Sequence, residues 1–186
     1  YELGSVLKPI VFSKAIDKKI FSPDKHIEIP RRLELGNTII TDPKIYQKLT
    51  PKEIVAYSSQ VGASKIALKL GYEDLKNNYY SFGFTKPISI NFPSAAFGLM
   101  NAKETVSDRE LASLGYGYGL KVSPFQLTAA YSTFANNGIR KEFKLLMNDE
   151  VTSQRVISES SARHTLEALQ KVVKIGTGKK ADIVGF

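Results

Sequence analysis

A chain of 186 residues is long enough for one domain, and 42% hydrophobic residues, with ten Phe and nine Tyr, supply a packed core. It has no cysteine, which excludes structural disulfides and thiolate zinc sites, and only two histidines, His26 and His164, from which to build a histidine triad or metal site. The net charge of +8 fits an anionic partner, but the cations are scattered in pairs such as Lys18-Lys19, Arg31-Arg32 and Lys179-Lys180, without the aromatic-interleaved basic motif of a nucleic-acid module.

The first element predicted is a buried helix carrying Ile10, Val11, Phe12, Ala15 and Ile16. Pro9 loosens its first turn: it removes the bond to the Ser5 carbonyl and disfavours helical geometry at Lys8. Ser22-Pro23-Asp24-Lys25 reads as a turn, and 27–29 and 37–40 as strands. Thr50-Pro51-Lys52-Glu53 is a capping box that starts a helix through Ile54 and Val55. Gly62 is expected to interrupt it, leaving 63–70 as a second short helix stopped by Gly71.

The Gly-, Pro- and Ser-rich stretch 82–100 reads as loop. Ser107 and Ser123 open two further boxes, with Glu110 and Gln126 at the third position. Leu127, Ala130 and Phe134 line one face of the second helix, which Asn137-Gly138 ends. Ser158 caps a last helix with Ala162, Leu166, Leu169 and Val173 on one stripe, and Gly176 stops it. Strands are expected at 143–147 and 182–186. These elements amount to an α-rich α+β chain.

Chemistry enters at Gly4-Ser5-Val6-Leu7-Lys8-Pro9. A serine hydroxyl needs a base within hydrogen-bond reach to act as a nucleophile. On a helix, positions i and i+3 share a face, so Lys8 can lie beside Ser5. Burial lowers a lysine's pKa and turns it into a base. A helix N-terminus favours developing negative charge, and Gly4 permits close approach of a substrate backbone. The spacing is cheap, however: Ser22 and Lys25 have it too. Ser5 and Lys8 thus read either as a catalytic pair or as a solvated helix start. Ser58-Ser59-Gln60 reads as a polar loop between helices, able to face a cleft or to do nothing. Gly115-Tyr116-Gly117-Tyr118-Gly119 has the wrong spacing for a dinucleotide fingerprint and reads as structural. Ile175-Gly176-Thr177-Gly178-Lys179 lacks Walker spacing and reads as a helix stop and loop.

In order along the chain, YELGSVLKP, ITDPKIYQKLTPKEIVAYSSQVGASKIALKLG, YSFGF and LGYGYGLKVSPFQLTAAYSTFANNGI resemble the transpeptidase domain of class B penicillin-binding proteins, the cell-division (septal) type above all. The resemblance covers nearly all 186 residues. It implies the penicillin-binding, serine β-lactamase-like transpeptidase fold, with its central antiparallel sheet incomplete over 1–186. It implies that Ser5 is the nucleophile for the D-Ala-D-Ala end of a peptidoglycan stem peptide and that Lys8 is its base. Ser58 would relay the proton, and Gln60 would hold the substrate amide or help orient Lys8. β-Lactams would acylate Ser5, with no metal or organic cofactor. The resemblance further implies cell-division or elongation membrane proteins as partners, a place on the periplasmic face of the inner membrane, and attachment only through an N-terminal anchor.

Two departures stand out. The family's second motif usually ends in Asn, where this chain has Gln60. The third motif, Lys-Thr/Ser-Gly on an edge strand, is expected just after Phe186, so residues 1–186 read as a partial domain, inactive alone. Two alternatives share the serine–lysine motif or the fold: a β-lactamase or β-lactam sensor, and a non-catalytic cell-wall scaffold.

Overall fold

Pro9 shapes the first element. A regular α-helix would need its N–H to reach the Ser5 carbonyl, and proline has none. In the computed structural model, which describes residues 1–86, 98–100, 103–144 and 151–183, a 3₁₀ turn spans Gly4–Leu7, and the Lys8 N–H donates to the Ser5 carbonyl instead. Helix α1 (Lys8–Asp17) continues from it with Pro9 in its first turn. The loosened turn is the expected one. Lys8 itself differs from expectation: it is helical, at φ −54° and ψ −39°. Burial of Leu7, Lys8, Pro9 and Ile10 together outweighs the pre-proline preference.

Past a turn closed by the Lys25 N–H on the Ser22 carbonyl, four short strands form two antiparallel pairs: β1 (Ile27–Glu28), β2 (Leu33–Leu35), β3 (Thr38–Ile40) and β4 (Lys48–Leu49). β1 pairs with β4, and β2 with β3 as a hairpin. Helix α2 (Pro51–Ala56) starts at the Thr50–Glu53 capping box. Helix α3 (Gln60–Leu70) begins three residues earlier than expected, because the break falls at Tyr57-Ser58 and not at Gly62. Gly62 lies inside α3, where a Cβ would sit 2.6 Å from the Ile54 side chain. Its smallness lets α2 and α3 close on each other.

Helix α4 (Tyr72–Ser81) has no counterpart in the sequence reading; Leu75, Asn78 and Tyr79 form its buried stripe. Residues 87–97 of the expected loop lie outside the described residues, and its end carries strand β5 (Leu99–Met100). Helix α5 (Asp108–Gly115) follows the Ser107 box. Strand β6 (Leu120–Lys121) pairs with β5. Helix α6 (Pro124–Ala135) follows the Ser123 box and ends before Asn137 and Gly138, both left-handed. Each such cap stabilises its helix by about 1 kcal/mol.

Strand β7 (Ile139–Lys141) pairs with β8 (Ser153–Arg155). The strand expected at 143–147 does not start at Phe143 or Lys144, and 145–147 lie outside the described residues. Helix α7 (Glu159–Lys174) is capped by Ser158. A 3₁₀ turn spans Lys179–Ala181. Of the strand expected at 182–186, Asp182 and Ile183 are irregular and 184–186 lie outside the described residues. Among the described residues every sheet is two-stranded, so the chain is α-rich α+β.

Helix α1 is the hub. Ile10, Val11, Phe12, Ser13, Ala15 and Ile16 are all buried, and α2, α3, α4 and α7 surround it. A helix with apolar residues on most of its faces has to be covered on most of them, and only Lys14 and Asp17 of α1 stay half-buried. That cover is what removes Lys8, at its first turn, from water.

Candidate active site

Ser5 sits exposed in the 3₁₀ turn that opens α1. The turn is pinned from outside. Gly4 is left-handed, at φ +55°, and its N–H donates to the Gly117 carbonyl at 3.0 Å. The Gly119 N–H donates to the Glu2 carboxylate at 3.2 Å. The Tyr131 hydroxyl donates to the Val6 carbonyl at 2.8 Å, and burial pushes that phenol up to about 12, so it stays a donor. The run from Gly115 to Gly119, read as structural, is therefore the strap that holds the serine turn.

Lys8 is 3% exposed. Its Nζ lies 3.2 Å from Ser5 Oγ, 2.8 Å from Ser58 Oγ and 2.5 Å from the Ser58 carbonyl oxygen. The Ser58 hydroxyl donates to Ser5 Oγ at 2.8 Å, which closes a three-membered ring of polar atoms. Burial pulls the Lys8 ammonium down to about 8, against the opposing pull of the Asp42 carboxylate. At pH 7 about a tenth of the chains then hold Lys8 as a free amine, roughly 300-fold more than for a lysine in water.

A second buried lysine marks the contrast. Lys52 is 5% exposed but pairs with Asp24 at 2.9 Å and Glu167 at 2.6 Å. Burial acts on it too, yet the two carboxylates lift it above the ordinary lysine value. Lys52 is a structural cation. Lys8, among hydroxyls and a carbonyl, is free to become a base.

Ser58 reaches Lys8 through an unusual backbone. It is a non-glycine residue at φ +59°. Such a conformation costs about 1–2 kcal/mol and persists where surrounding bonds over-determine it. Here the Ser58 N–H donates to the Val55 carbonyl, while its carbonyl and hydroxyl both face Lys8. The left-handed turn makes that double contact possible and is the true break between α2 and α3. Tyr57, just before it, stacks on Tyr46 at 5.5 Å.

Of the two roles expected for Gln60, the one that would orient Lys8 has no bond to carry it among the described residues. Gln60 is the first residue of α3, exposed at the mouth of the site, and among the described residues no hydrogen bond joins its side chain to Lys8. The Ser58 carbonyl orients Lys8 instead. Gln60's amide is left facing solvent, available to a substrate.

Asp42 belongs to the site and escaped the sequence reading. One of its carboxylate oxygens accepts from the Gln60 N–H at 2.6 Å and the Val61 N–H at 3.2 Å, and the other accepts from the Ser59 hydroxyl at 2.6 Å. Ser59 Oγ in turn caps Gly62. A carboxylate at a helix N-terminus suits both the free N–H groups and the dipole. The only local signal was Asp42-Pro43, which reads as a turn. Asp42→Ala is expected to destabilise the fold by roughly 2 kcal/mol, since three charge-assisted bonds are lost. It is also expected to lower the Lys8 pKa below about 8, because the one raising influence is gone. Denaturant unfolding and ¹⁵N NMR titration of the Lys8 amine check the two effects; an unmoved Lys8 would show that Asp42 does not act on it. Among the described residues, no three His, Asp or Glu side chains gather to hold a metal.

The arrangement can deprotonate a serine, stabilise the lysine by a carbonyl, and pass a proton through a second hydroxyl. Comparisons with known proteins show the family in which this arrangement sits. The profile of the penicillin binding protein transpeptidase domain matches residues 1–185. The peptidoglycan D,D-transpeptidase FtsI of Escherichia coli is 33% identical over 189 residues, and that of Buchnera aphidicola from Baizongia pistaciae is 30% identical over 194 residues. Both alignments cover 100% of this chain but only 32% and 34% of those proteins, so the chain spans about a third of the length of these relatives. The apo transpeptidase domain of Burkholderia pseudomallei penicillin-binding protein 3 superposes with a TM-score of 0.93 at 32% identity, covering 100% of this chain and 58% of that one. Penicillin-binding protein 3 of Mycobacterium tuberculosis, solved with aztreonam, gives a TM-score of 0.87 at 25% identity over 98% of this chain and 45% of that one. With the serine, its buried lysine and the bridging second serine assembled on this fold, the chain belongs to the family of penicillin-binding protein transpeptidase domains.

Proposed function

We propose that residues 1–186 are the nucleophile-bearing part of a peptidoglycan D,D-transpeptidase. The observation that carries this is the polar ring: Lys8 Nζ within 3.2 Å of Ser5 Oγ and 2.8 Å of Ser58 Oγ, with the two hydroxyls 2.8 Å apart. The free amine of Lys8 takes the Ser5 proton while Ser5 Oγ adds to the penultimate D-Ala carbonyl of a stem peptide. The tetrahedral adduct expels the terminal D-alanine, whose amine receives the proton from Lys8 through the Ser58 hydroxyl. The ester on Ser5 is then attacked by an amine of a neighbouring stem, which forms the cross-link and returns the proton to the ring. Gln60's exposed amide binds the stem-peptide backbone. β-Lactams enter the same reaction, because opening the strained ring places an acyl group on Ser5. The septal type that the sequence blocks resemble, together with the FtsI relatives, supports a role in division with membrane-protein partners at the periplasmic face of the inner membrane. Among the described residues no helix is long and apolar enough to cross a membrane.

Incubation of the intact protein with a labelled penicillin tests the reading. A stable adduct mapped to Ser5 by mass spectrometry, lasting through many half-lives of acylation, is expected. A folded protein with no adduct on Ser5 would sink the proposal, and rapid loss of the adduct to water would replace it with a hydrolase.

A further inference from the structure

Residues 29–32, which lead into β2, and residues 41–46, which follow β3, line a cavity of about 340 Å³ that Asp42 joins to the start of α3. Its wall includes Arg31, Arg32 and Lys44, together with Thr41, Asp42 and Tyr46. Three cations thus face one acid, so positive charge predominates, and the hydrogen-bonding capacity of that acid is turned toward α3. Both Asp42 oxygens are occupied by Ser59, Gln60 and Val61, on the α3 side. Arg31, Arg32 and Lys44 are exposed and form no hydrogen bond or ion pair among the described residues. Glu28, on β1, and Glu34, on β2, are not part of the wall. Like charges held around one small cavity repel each other, so an anion entering it is favoured. Arginine's planar fork suits an oxyanion with two coplanar oxygens above all. Tyr46 and the Pro43-Lys44-Ile45 stretch add apolar wall for the chain that carries the anion.

We infer that this cavity is an anion subsite that takes a free carboxylate of a peptidoglycan peptide while Ser5 handles the acyl group. The inference rests on the transpeptidase reading for the identity of the ligand. Asp42 is the shared partition: it lines the cavity on one side and holds Ser59, Gln60 and Val61 on the other. A wall peptide seated there is one residue, Asp42, away from the segment that directly follows Ser58. The +8 charge adds long-range attraction for a polyanionic wall.

The test uses the intact protein with Ser5 first acylated by penicillin, so that binding reports the cavity alone. The probe is a soluble disaccharide–peptide from cell wall with its carboxylates free, titrated by amide NMR. The same compound with its carboxylates amidated and a glycerol-phosphate polymer are the comparison arms. The free-carboxylate probe is expected to shift resonances of 29–32 and 41–46 and to bind at least tenfold tighter than its amidated form. Arg31→Ala/Arg32→Ala/Lys44→Ala is expected to lose that preference, while Ser5 acylation stays within twofold. Arg31→Gln/Arg32→Gln, which preserves side-chain bulk, serves if the triple variant unfolds. Equal binding of the amidated probe, binding unchanged in the variants, or preference for the phosphate polymer would each overturn the inference. Failure of Ser5 to take penicillin strikes the transpeptidase reading separately, and the cavity is then titrated in Ser5→Ala.

Discussion

Lys8→Ala is expected to slow acylation of Ser5 by labelled penicillin about 10²–10⁴-fold, the loss that follows when a general base is removed. The more telling variant is Lys8→Arg. Arginine keeps a cation and hydrogen-bond donors near Ser5 and Ser58 but does not release its proton in a protein. If Lys8 were only a donor that orients Ser5, arginine would restore much of the rate. As a base, Lys8 is expected to leave the arginine variant as slow as the alanine one. In the wild type the acylation rate should rise with pH and level off near 8, following the free amine. An arginine variant within tenfold of wild type, or a flat pH profile between 6 and 9, would rule out the base.

The same lysine writes a signature into stability. Folded Lys8 titrates near 8, whereas an unfolded lysine titrates near 10.5. Between those values the unfolded chain holds more protons, so wild-type stability rises with pH there and the benefit is lost as pH falls through 8. The gap corresponds to about 3 kcal/mol. Lys8→Met lacks this titration. The stability difference between the two proteins, read from urea unfolding, should therefore move in favour of the wild type by about 3 kcal/mol between pH 8 and 10.5.

What was legible in the sequence was what neighbours in sequence decide. The boxes at Thr50, Ser107 and Ser123 form as expected because a cap involves residues three apart. Pro9's effect on the Ser5 carbonyl is just as local. Gly62 misled because its reason is a contact with Ile54, on another helix. The real break, Ser58, is a non-glycine in a left-handed turn, and its carbonyl and hydroxyl are held by a lysine fifty positions away. Nothing around Ser58 signals that. Helix α4 was missed for a different reason: Gly71 is the stop it reads as, ending α3, and is also the joint from which the next helix starts.

The site divides the same way. The Ser5–Lys8 spacing is visible in the sequence, yet Ser22 and Lys25 have it in a turn. Burial of Lys8, on a helix covered by α2, α3, α4 and α7, distinguishes the first pair, and burial is a property of the whole fold. Asp42 is invisible for the same reason, since its partners are on α3. The family resemblance supplied Ser58 and Gln60, but not the absence of a bond from Gln60 to Lys8.

Gly117→Ala is expected to be the most damaging single change outside the ring itself. Gly117 sits at φ +104°, outside even the left-handed region that other residues visit. A Cβ there would lie 1.8 Å from the Gly4 carbonyl oxygen and 2.4 Å from its carbon. Those are backbone atoms and cannot swing aside. Gly117's own carbonyl accepts from the Gly4 N–H, so the two strands of chain must separate or both rotate. Gly4 precedes Ser5 directly, and a displacement of about 1 Å at a reacting atom can cost on the order of 10²-fold in rate. The combined strain and clash should cost roughly 3 kcal/mol or more of stability. Gly71→Ala separates the two contributions. Gly71 has φ +82° but nothing within 4 Å of an added Cβ. It carries the conformational penalty of about 1–2 kcal/mol without touching the serine turn. The expected pattern is a lowered melting temperature in both variants, but slowed Ser5 acylation only in Gly117→Ala, measured on the folded fraction below either melting transition. Equal acylation in the two variants would mean that Gly115 to Gly119 supports the fold without setting the position of the nucleophile.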